Sequence, residues 1–135
     1  MKVGEFFTLD EFRCKDGTPY PEKWIASRLR PLVVELDELR RRVGPLVVVS
    51  GFRTPAYNRR IGGSHGSQHL EGRAADIRPL HTTIEKLRVL VRHRLLETGC
   101  TLRGVGWYKT FVHVDIRRSG RRVAWQGRGM PAGFA

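Results

Sequence analysis

The sequence predicts an α+β fold, a small single domain in which two main helices pack on an antiparallel sheet. Apolar residues recur every three to four positions in two segments, which is the spacing of an amphipathic helix. Short runs rich in β-branched residues, bounded by glycine and proline, lie between and after these segments and are typical of strands. The 135 residues are enough for one hydrophobic core and too few for two independent ones.

The first main helix is predicted from about Trp24 to Arg42. Its apolar face consists of residues at helical spacing, namely Trp24, Ile25, Leu29, Leu32, Val33, Leu36 and Leu39. Pro31 either kinks this helix or begins its second, longer part, because proline lacks the N–H that a helix interior requires. The dipeptide Gly44-Pro45 ends it.

A short strand and a brief helix are predicted next. The segment Leu46–Ser50 indicates a buried strand, since its centre is a run of three valines. This strand delivers Ser50 and Arg53 to the following loop. Residues Pro55–Arg60 predict the brief helix, and residues from about Gln68 to Ile77 are expected to be extended.

The second main helix is predicted to begin after Thr82 or Thr83, either of which can cap it, and to stop at Gly99. Its buried side consists of Ile84, Leu87, Leu90, Val91 and Leu95. The chain then reads as three short strands joined by tight turns, including a hairpin turn at Ser119-Gly120. The strands are residues 104–108, 110–117 and 121–125. The domain spans residues 1–135, with a loosely held tail from Gln126.

The composition bounds the classes of partner. The formal net charge is +12, with 25 Lys and Arg against 13 Asp and Glu, so the expected partners are anionic. Cell-wall polyanions fit this charge. Nucleic acid is the weaker alternative because no aromatic RNA-binding signature is interleaved with the arginines. The interpretation that competes with both is that the charge merely keeps the surface solvated. Neither a membrane span nor a signal peptide is visible.

Cys14 and Cys100 are the only two cysteines and lack the spacing of a thiolate zinc site. The segment from Ser67 to Asp76 carries a different metal pattern. It places His69 and Asp76 seven residues apart around a glycine and two alanines, and a neutral imidazole and a carboxylate both suit zinc. His113 is the candidate third ligand, because apolar and polar residues alternate around it as on a strand.

The order of several motifs is more specific than this spacing. They are Ser50-Gly-Phe-Arg-Thr-Pro-Ala-Tyr-Asn58, Gly62-Gly63, His-x-x-Gly-x-Ala-x-Asp and Phe-Val-His-Val-Asp. Together they resemble the zinc D-Ala-D-Ala carboxypeptidase family of peptidoglycan peptidases, in particular its small single-domain members from bacteria and phages. The resemblance runs from Phe7 to about Trp125 and implies a fold that the Hedgehog signalling domain also has.

The resemblance implies a site with one zinc ion held by His69, Asp76 and His113, which activates the attacking water. Arg53 matches an arginine that in the family polarises the scissile carbonyl or holds substrate. Ser67 matches a small polar residue ahead of the first ligand, for which substrate binding and a simple turn are both open.

The general base departs from the broader family, many members of which carry Glu or Asp three residues before the last histidine. This chain has Thr110 there. Asp115 follows His113 by two residues and therefore lies on the same strand face, so it is interpreted as the catalytic base or as a partner of a ligand. Glu71 is the second candidate for the base.

The function that the resemblance implies is a zinc metallopeptidase that hydrolyses amide bonds of peptidoglycan stem peptides or cross-links at the cell wall. It would act as a D,D-carboxypeptidase or as an endopeptidase. The alternative is a noncatalytic, zinc-stabilised cell-wall binding module on the same fold, because the missing upstream acid favours intact metal binding without turnover.

Overall fold

Three α-helices and five strands make up the regular structure of residues 1–131, the part of the chain that the computed structural model describes. The helices are α1 (Arg30–Val43), α2 (Pro55–Arg60) and α3 (Ile84–Leu95). The strands are β1 (Leu46–Ser50), β2 (Ala74–Pro79), β3 (Gly104–Trp107), β4 (Val112–Asp115) and β5 (Val123–Gln126). The predicted α+β class is confirmed.

Helix α1 continues from a 3-10 turn at Glu22–Trp24 and a π-helical turn at Ile25–Leu29. Pro31 is the second residue of α1, directly after the π-helical turn, so it lies where the longer part of the helix begins. Gly44 ends the helix with a φ of 86°, a left-handed value that glycine adopts at little cost.

Threonine side chains cap the other two helices. Thr54 accepts a hydrogen bond from the Tyr57 N–H at 3.2 Å at the start of α2. Of the two threonines predicted to cap the second main helix, Thr83 does so, accepting from the Lys86 N–H at 3.2 Å. These bonds satisfy N–H groups that the first turn of a helix leaves without partners.

The strand order in the sheet is β1-β2-β4-β3-β5. Neighbouring strands are antiparallel except β3 and β5, which are parallel, so the prediction of a purely antiparallel sheet is wrong at one edge. Both sides of β4 are already occupied by β2 and β3. The turn at Ser119-Gly120 therefore reverses the chain without forming a hairpin, and β5 pairs with the outer side of β3.

The segment ahead of β2 also differs from its prediction. Residues 68–73 form consecutive turns, in which the N–H groups of Leu70 and Glu71 donate to the carbonyls of Ser67 and Gln68 at 3.1 Å. Gly72, with a φ of 67°, then redirects the chain into β2. Only the part of the predicted extended segment that begins at Ala74 is a strand.

The two faces of the sheet have opposite character. One face is apolar and joins the core against the helices, through Ala75, Ile77, Val105, Trp107, Val112 and Val114. Because side chains alternate along a strand, the other face carries Asp76, His113 and Asp115. These three polar residues are nevertheless buried, so they lie beneath other parts of the chain.

The chain after β5 returns to the sheet. The Gly127 N–H donates to the Trp107 carbonyl at 2.7 Å, and Met130 packs against the core. A loosely held tail from Gln126 stays a prediction, and its last part, residues 132–135, lies outside the described residues.

The structure also describes the cysteines and the lengths of the helices. Cys14 and Cys100 are both buried and free. Among the helices of residues 1–131, none is long and apolar enough to cross a membrane.

Candidate metal centre

One row of residues across the sheet carries the polar centre. The strand register aligns Ser50 with Asp76, Asp76 with His113, His113 with Gly106, and Gly106 with Trp125. Directly opposed residues of neighbouring strands present their side chains to the same face. Each of the five strands therefore contributes one residue to a single line, and the sheet register fixes their relative positions.

His69 approaches this row from the turns ahead of β2. Its backbone carbonyl accepts a hydrogen bond from the Arg53 N–H at 3.1 Å, which ties the turn to the loop after β1. Its Nδ1 lies 2.7 Å from the Gly51 carbonyl oxygen, and the residue is 2% exposed. These contacts orient the ring so that Nε2 faces the sheet.

The three predicted metal ligands meet at one carboxylate oxygen. Asp76 Oδ1 lies 3.1 Å from His69 Nε2 and 3.0 Å from His113 Nδ1. One potential ligand atom from each residue lies within 4.8 Å of the others, and all three residues are buried. The cluster could therefore hold a metal ion.

The chemistry of the donor atoms fits a cation. The Gly51 carbonyl can only accept, so His69 Nδ1 carries the proton and Nε2 presents a lone pair in the neutral ring. His113 Nε2 lies 2.7 Å from Asp115 Oδ2, an acceptor that likewise leaves Nδ1 to face Asp76. The lone pairs of two imidazoles and one carboxylate converge on the same space. They repel one another unless a positive charge lies between them, either protons or a divalent metal ion.

Burial and contacts set the charges of the cluster. Burial lowers the pKa of His69, which favours the neutral ring. Burial also disfavours charge on His113, but hydrogen bonds with Asp115 and Asp76 outweigh it and raise its pKa. Burial opposes ionisation of Asp76, yet its hydrogen bonds with both histidines hold its pKa well below the usual value. Asp76 is therefore ionised at neutral pH.

Asp115 lies behind His113 and is fully buried. Its Oδ1 accepts from the Arg117 backbone N–H at 3.0 Å and from Arg117 Nε at 2.9 Å, and its Oδ2 accepts from Nη2 at 2.7 Å. Burial opposes ionisation, but the hydrogen bonds of His113 and Arg117 lower its pKa to about 2. Gly104, directly opposite on β3, leaves the space that this carboxylate occupies.

Arg53 lies on the other side of Asp76. Its guanidinium donates from Nε to Ser50 Oγ at 3.1 Å, from Nη1 to Asn58 Oδ1 at 3.3 Å and from Nη2 to Asp76 Oδ2 at 3.4 Å. Asn58 is 3% exposed and was not predicted as part of the site. The signal that could have found it is its place in the Ser50–Asn58 motif, as a polar residue within the short helix α2.

A cleft of about 520 Å³ opens over the cluster. Residues 61–64 of the glycine-rich loop line one part of it, and Tyr108, Phe111 and Trp125 line another. The Trp125 ring lies 5.0 Å from the His113 ring, and its Nε1 donates to Tyr108 Oη at 2.9 Å. Gly106 makes this possible, because a side chain there would collide with Trp125 and Tyr108.

The other predicted site residues fall in different places. Ser67 lines the cleft, and its hydroxyl accepts from the His69 N–H at 3.2 Å. Glu71 lies outside the cleft, with its side chain 56% exposed and 3.7 Å from Arg28. Thr110 is exposed. Among the cleft-lining residues of the described chain, Asp76 is the only carboxylate.

Comparison with known proteins identifies a family. A family model described as Peptidase M15 matches residues 6–115. No curated protein matches the chain. The matched segment contains the whole metal cluster, Arg53 and Asp115, whereas β5 with Trp125 lies beyond it.

Proposed function

The chain belongs to the peptidase M15 family, and on this premise we propose that it is a zinc-dependent peptidase of peptidoglycan stem peptides or cross-links. The observation that carries the proposal is the convergence of His69, Asp76 and His113 at the base of an open cleft. Structural zinc sites are closed by four protein ligands, whereas catalytic sites have three. A set of three ligands open to a cleft supports the catalytic class.

The chain's own residues hold this site in position. When bound by three side chains, a zinc ion keeps a position open for water, lowers the pKa of that water and polarises a carbonyl oxygen. The Gly51 carbonyl and the Asp115 carboxylate fix the tautomers of His69 and His113, so that each presents a lone pair to the centre. The glycine-rich loop and the aromatic side chains leave room between them for an extended peptide.

We assign Arg53 to the stabilisation of the oxyanion or to a carboxylate of the substrate. Its guanidinium lines the cleft, and three hydrogen bonds to Ser50, Asn58 and Asp76 restrain it. A restrained guanidinium stabilises developing negative charge without having to reorganise during the reaction.

Substituting Arg53 by alanine is expected to lower kcat/KM by about 10²–10³-fold, the effect of removing one oxyanion donor. The zinc content is expected to stay at one ion per chain, because the three ligands remain. Steady-state cleavage and elemental analysis measure both quantities. Arg59→Ala is the matched control, because it also removes one arginine. Arg59 is exposed and lies on α2, the helix that follows Arg53. Loss of zinc from the Arg53 variant would contradict the assigned role.

We propose that Asp115 orients His113 and does not act as the general base. Its two oxygens are engaged by His113 and Arg117, it is fully buried, and it does not line the cleft. A carboxylate with a pKa of about 2 is also a weak base near neutral pH.

Replacement of Asp115 by asparagine separates the two roles. An orienting residue is expected to change zinc affinity by about 10–100-fold, because the tautomer of His113 is no longer fixed. A general base would change turnover alone. Competition with a chromophoric chelator gives the zinc affinity. Asp10→Asn is the control, because it makes the same change at an exposed position. Unchanged zinc affinity with lost turnover would return Asp115 to the role of base.

One observation favours the second function, a zinc-stabilised binding module. Among the described residues that line the cleft, the ligand Asp76 is the only carboxylate. No other carboxylate there can take a proton from the attacking water. Such a module would hold zinc and bind cell wall without cleaving it.

Digestion of purified peptidoglycan tests the two functions against each other. The peptidase is expected to release new stem-peptide ends, identified by mass spectrometry, and to stop when a chelator removes the metal. His113→Ala, which removes one ligand, is expected to abolish the same products. Stoichiometric zinc with retention on insoluble peptidoglycan, and no cleavage of any wall type, would establish the binding module instead.

A further inference from the structure

A second pocket, of about 300 Å³, adjoins the cleft over the metal cluster. The two cavities share the wall formed by Gly66, Ser67 and Gln68. Arg73 and Arg118 line the second pocket and do not line the first. A ligand that fills the cleft can therefore extend into a space bordered by two guanidinium groups.

The residues described as lining this pocket carry more positive than negative charge, with Arg73 and Arg118 against Glu71. Within residues 1–131, neither Arg73 nor Arg118 has a side-chain hydrogen bond or an ion pair. Burial lowers the pKa of Arg73, as do the charges of Arg28 and Arg118, whereas Glu71 and Tyr20 act in the opposite direction. Glu71, the one acidic residue lining the pocket, lies 3.7 Å from Arg28 and is mostly exposed.

Arg117, the residue before Arg118, differs from it because its guanidinium has an acidic partner. The Arg117 guanidinium donates hydrogen bonds to Asp115, and its Cζ lies 5.3 Å from the centre of the Trp125 ring. Arg118, the next residue, has no such acceptor among the described residues. The sequence therefore places one arginine in the support of the metal centre and the next at a pocket that is open to a ligand.

The sheet fixes the distance between this pocket and the metal cluster. Arg73 precedes β2, and its carbonyl accepts from the Ile116 N–H at 3.0 Å, just after β4. Arg73 is three residues from Asp76, which corresponds to roughly 10 Å along a strand. An extended peptide covers a similar distance in about three residues. The pocket is thus within reach of a group carried close to the scissile bond.

We propose that Arg73 and Arg118 form an anion subsite that binds a carboxylate carried by an internal residue of the substrate peptide, within about three residues of the bond that is cleaved. The subsite rests on the proposed peptidase function. Guanidinium groups suit this ligand because their planar forks pair with both oxygens of a carboxylate. Stem peptides offer such a group at the second residue, D-Glu, and at the third residue where that residue is a diamino dicarboxylic acid.

Three forms of one synthetic stem pentapeptide test the subsite. One form has the carboxylates of residues two and three free, the second is amidated at residue two, and the third is amidated at residue three. All three have the same free C-terminal carboxylate. Calorimetric titration of the zinc-loaded protein measures their affinities, and mass spectrometry of the same samples records cleavage. We expect one amidation to weaken binding by about 10-fold or more, the effect expected of a lost charge-assisted pair.

Variants identify the residues responsible. Arg73→Gln and Arg118→Gln are each expected to weaken binding of the free form by about 10-fold and to leave binding of the sensitive amidated form unchanged. Arg30→Gln, in an exposed arginine that lines neither cavity, makes the same change of charge and is expected to alter neither affinity. Equal binding of all three peptides by the wild type, or a preference that survives both variants, would overturn the subsite.

The two proposals fail in different ways. Cleavage of all three peptides without any preference would overturn the subsite and leave the peptidase. A preference for the free carboxylate that depends on Arg73 and Arg118, without cleavage of any peptide, would support the subsite and count against the peptidase. Equal losses for the free and amidated forms in both variants would indicate a general effect of charge and overturn the subsite.

Discussion

Asp76→Asn is expected to lose zinc and peptidase activity together while keeping the fold. Asp76 Oδ1 is the point at which His69 and His113 meet, and Oδ2 accepts from Arg53. Asparagine has the same shape but supplies a neutral oxygen, so it cannot balance the charge of a divalent ion. The loss of zinc affinity should exceed the roughly 10–100-fold effect of residues that only orient a ligand.

The measurement is zinc per chain after gel filtration, together with peptidoglycan cleavage and circular dichroism. Asp10→Asn is the matched control, because Asp10 is exposed and its ion pair with Arg13 lies on the surface. A control with full zinc content and activity would assign the loss to position 76. A folded Asp76→Asn protein that keeps one zinc ion and its activity would show that the ligand set is wrong.

Glu35→Ala is expected to destabilise the fold by about 3–5 kcal/mol, the range for removing one partner of a buried ion pair. Glu35 on α1 is 1% exposed. Its carboxylate accepts from Arg94 Nε and Nη2 at 2.8 and 3.1 Å, and from the Thr101 N–H and hydroxyl at 2.8 and 3.0 Å. It thus connects α1 to α3 and to the segment before β3, and its loss leaves Arg94 without this partner.

Urea unfolding of the variant measures this effect. Asp10→Ala removes one carboxylate from an exposed pair and is expected to change the free energy of unfolding far less, because water screens that pair. In the double variant Glu35→Met with Arg94→Met, no buried charge is stranded, so part of the stability should return. A loss for Glu35→Ala no larger than that of Asp10→Ala would contradict the prediction.

The contribution of Glu35 is also expected to depend on pH. Burial alone raises the pKa of a carboxyl group, but the hydrogen bonds of Arg94 and Thr101 outweigh it and lower the pKa of Glu35 below 4.5. A lowered folded-state pKa means that the stabilisation is fully present above 4.5 and is lost as the pH falls toward the folded value. The difference in unfolding free energy between wild type and Glu35→Ala should therefore shrink in acid, and a constant difference would contradict this.

Local signals predicted most of the elements. Strand β1 and helices α2 and α3 lie where β-branched residues, Pro55 and the threonine caps indicated. These signals work because they act within a few residues along the chain. The parallel strand β5 could not be found in this way, since its place depends on β4 having a neighbour on each side.

For the candidate site, too, local signals found some features and missed others. Strand periodicity and the motifs pointed to His69, Asp76 and His113, which the fold brings together. Periodicity also placed Asp115 on the face of His113, but it could not reveal that Arg117 folds back onto this carboxylate. That contact supports the proposed orienting role of Asp115, and it depends on side-chain packing that no spacing rule contains.

The row of residues across the sheet contains two metal ligands on central strands and an aromatic residue on the edge strand β5. The metal ligands lie within the segment matched by the family, whereas Trp125 comes from β5, which follows that segment. Trp125 lines the cleft without being a metal ligand, so a substitution there changes the cleft wall and leaves the ligand set in place. This part of the cleft wall can therefore vary at the edge strand while Asp76 and His113 stay fixed on the central strands.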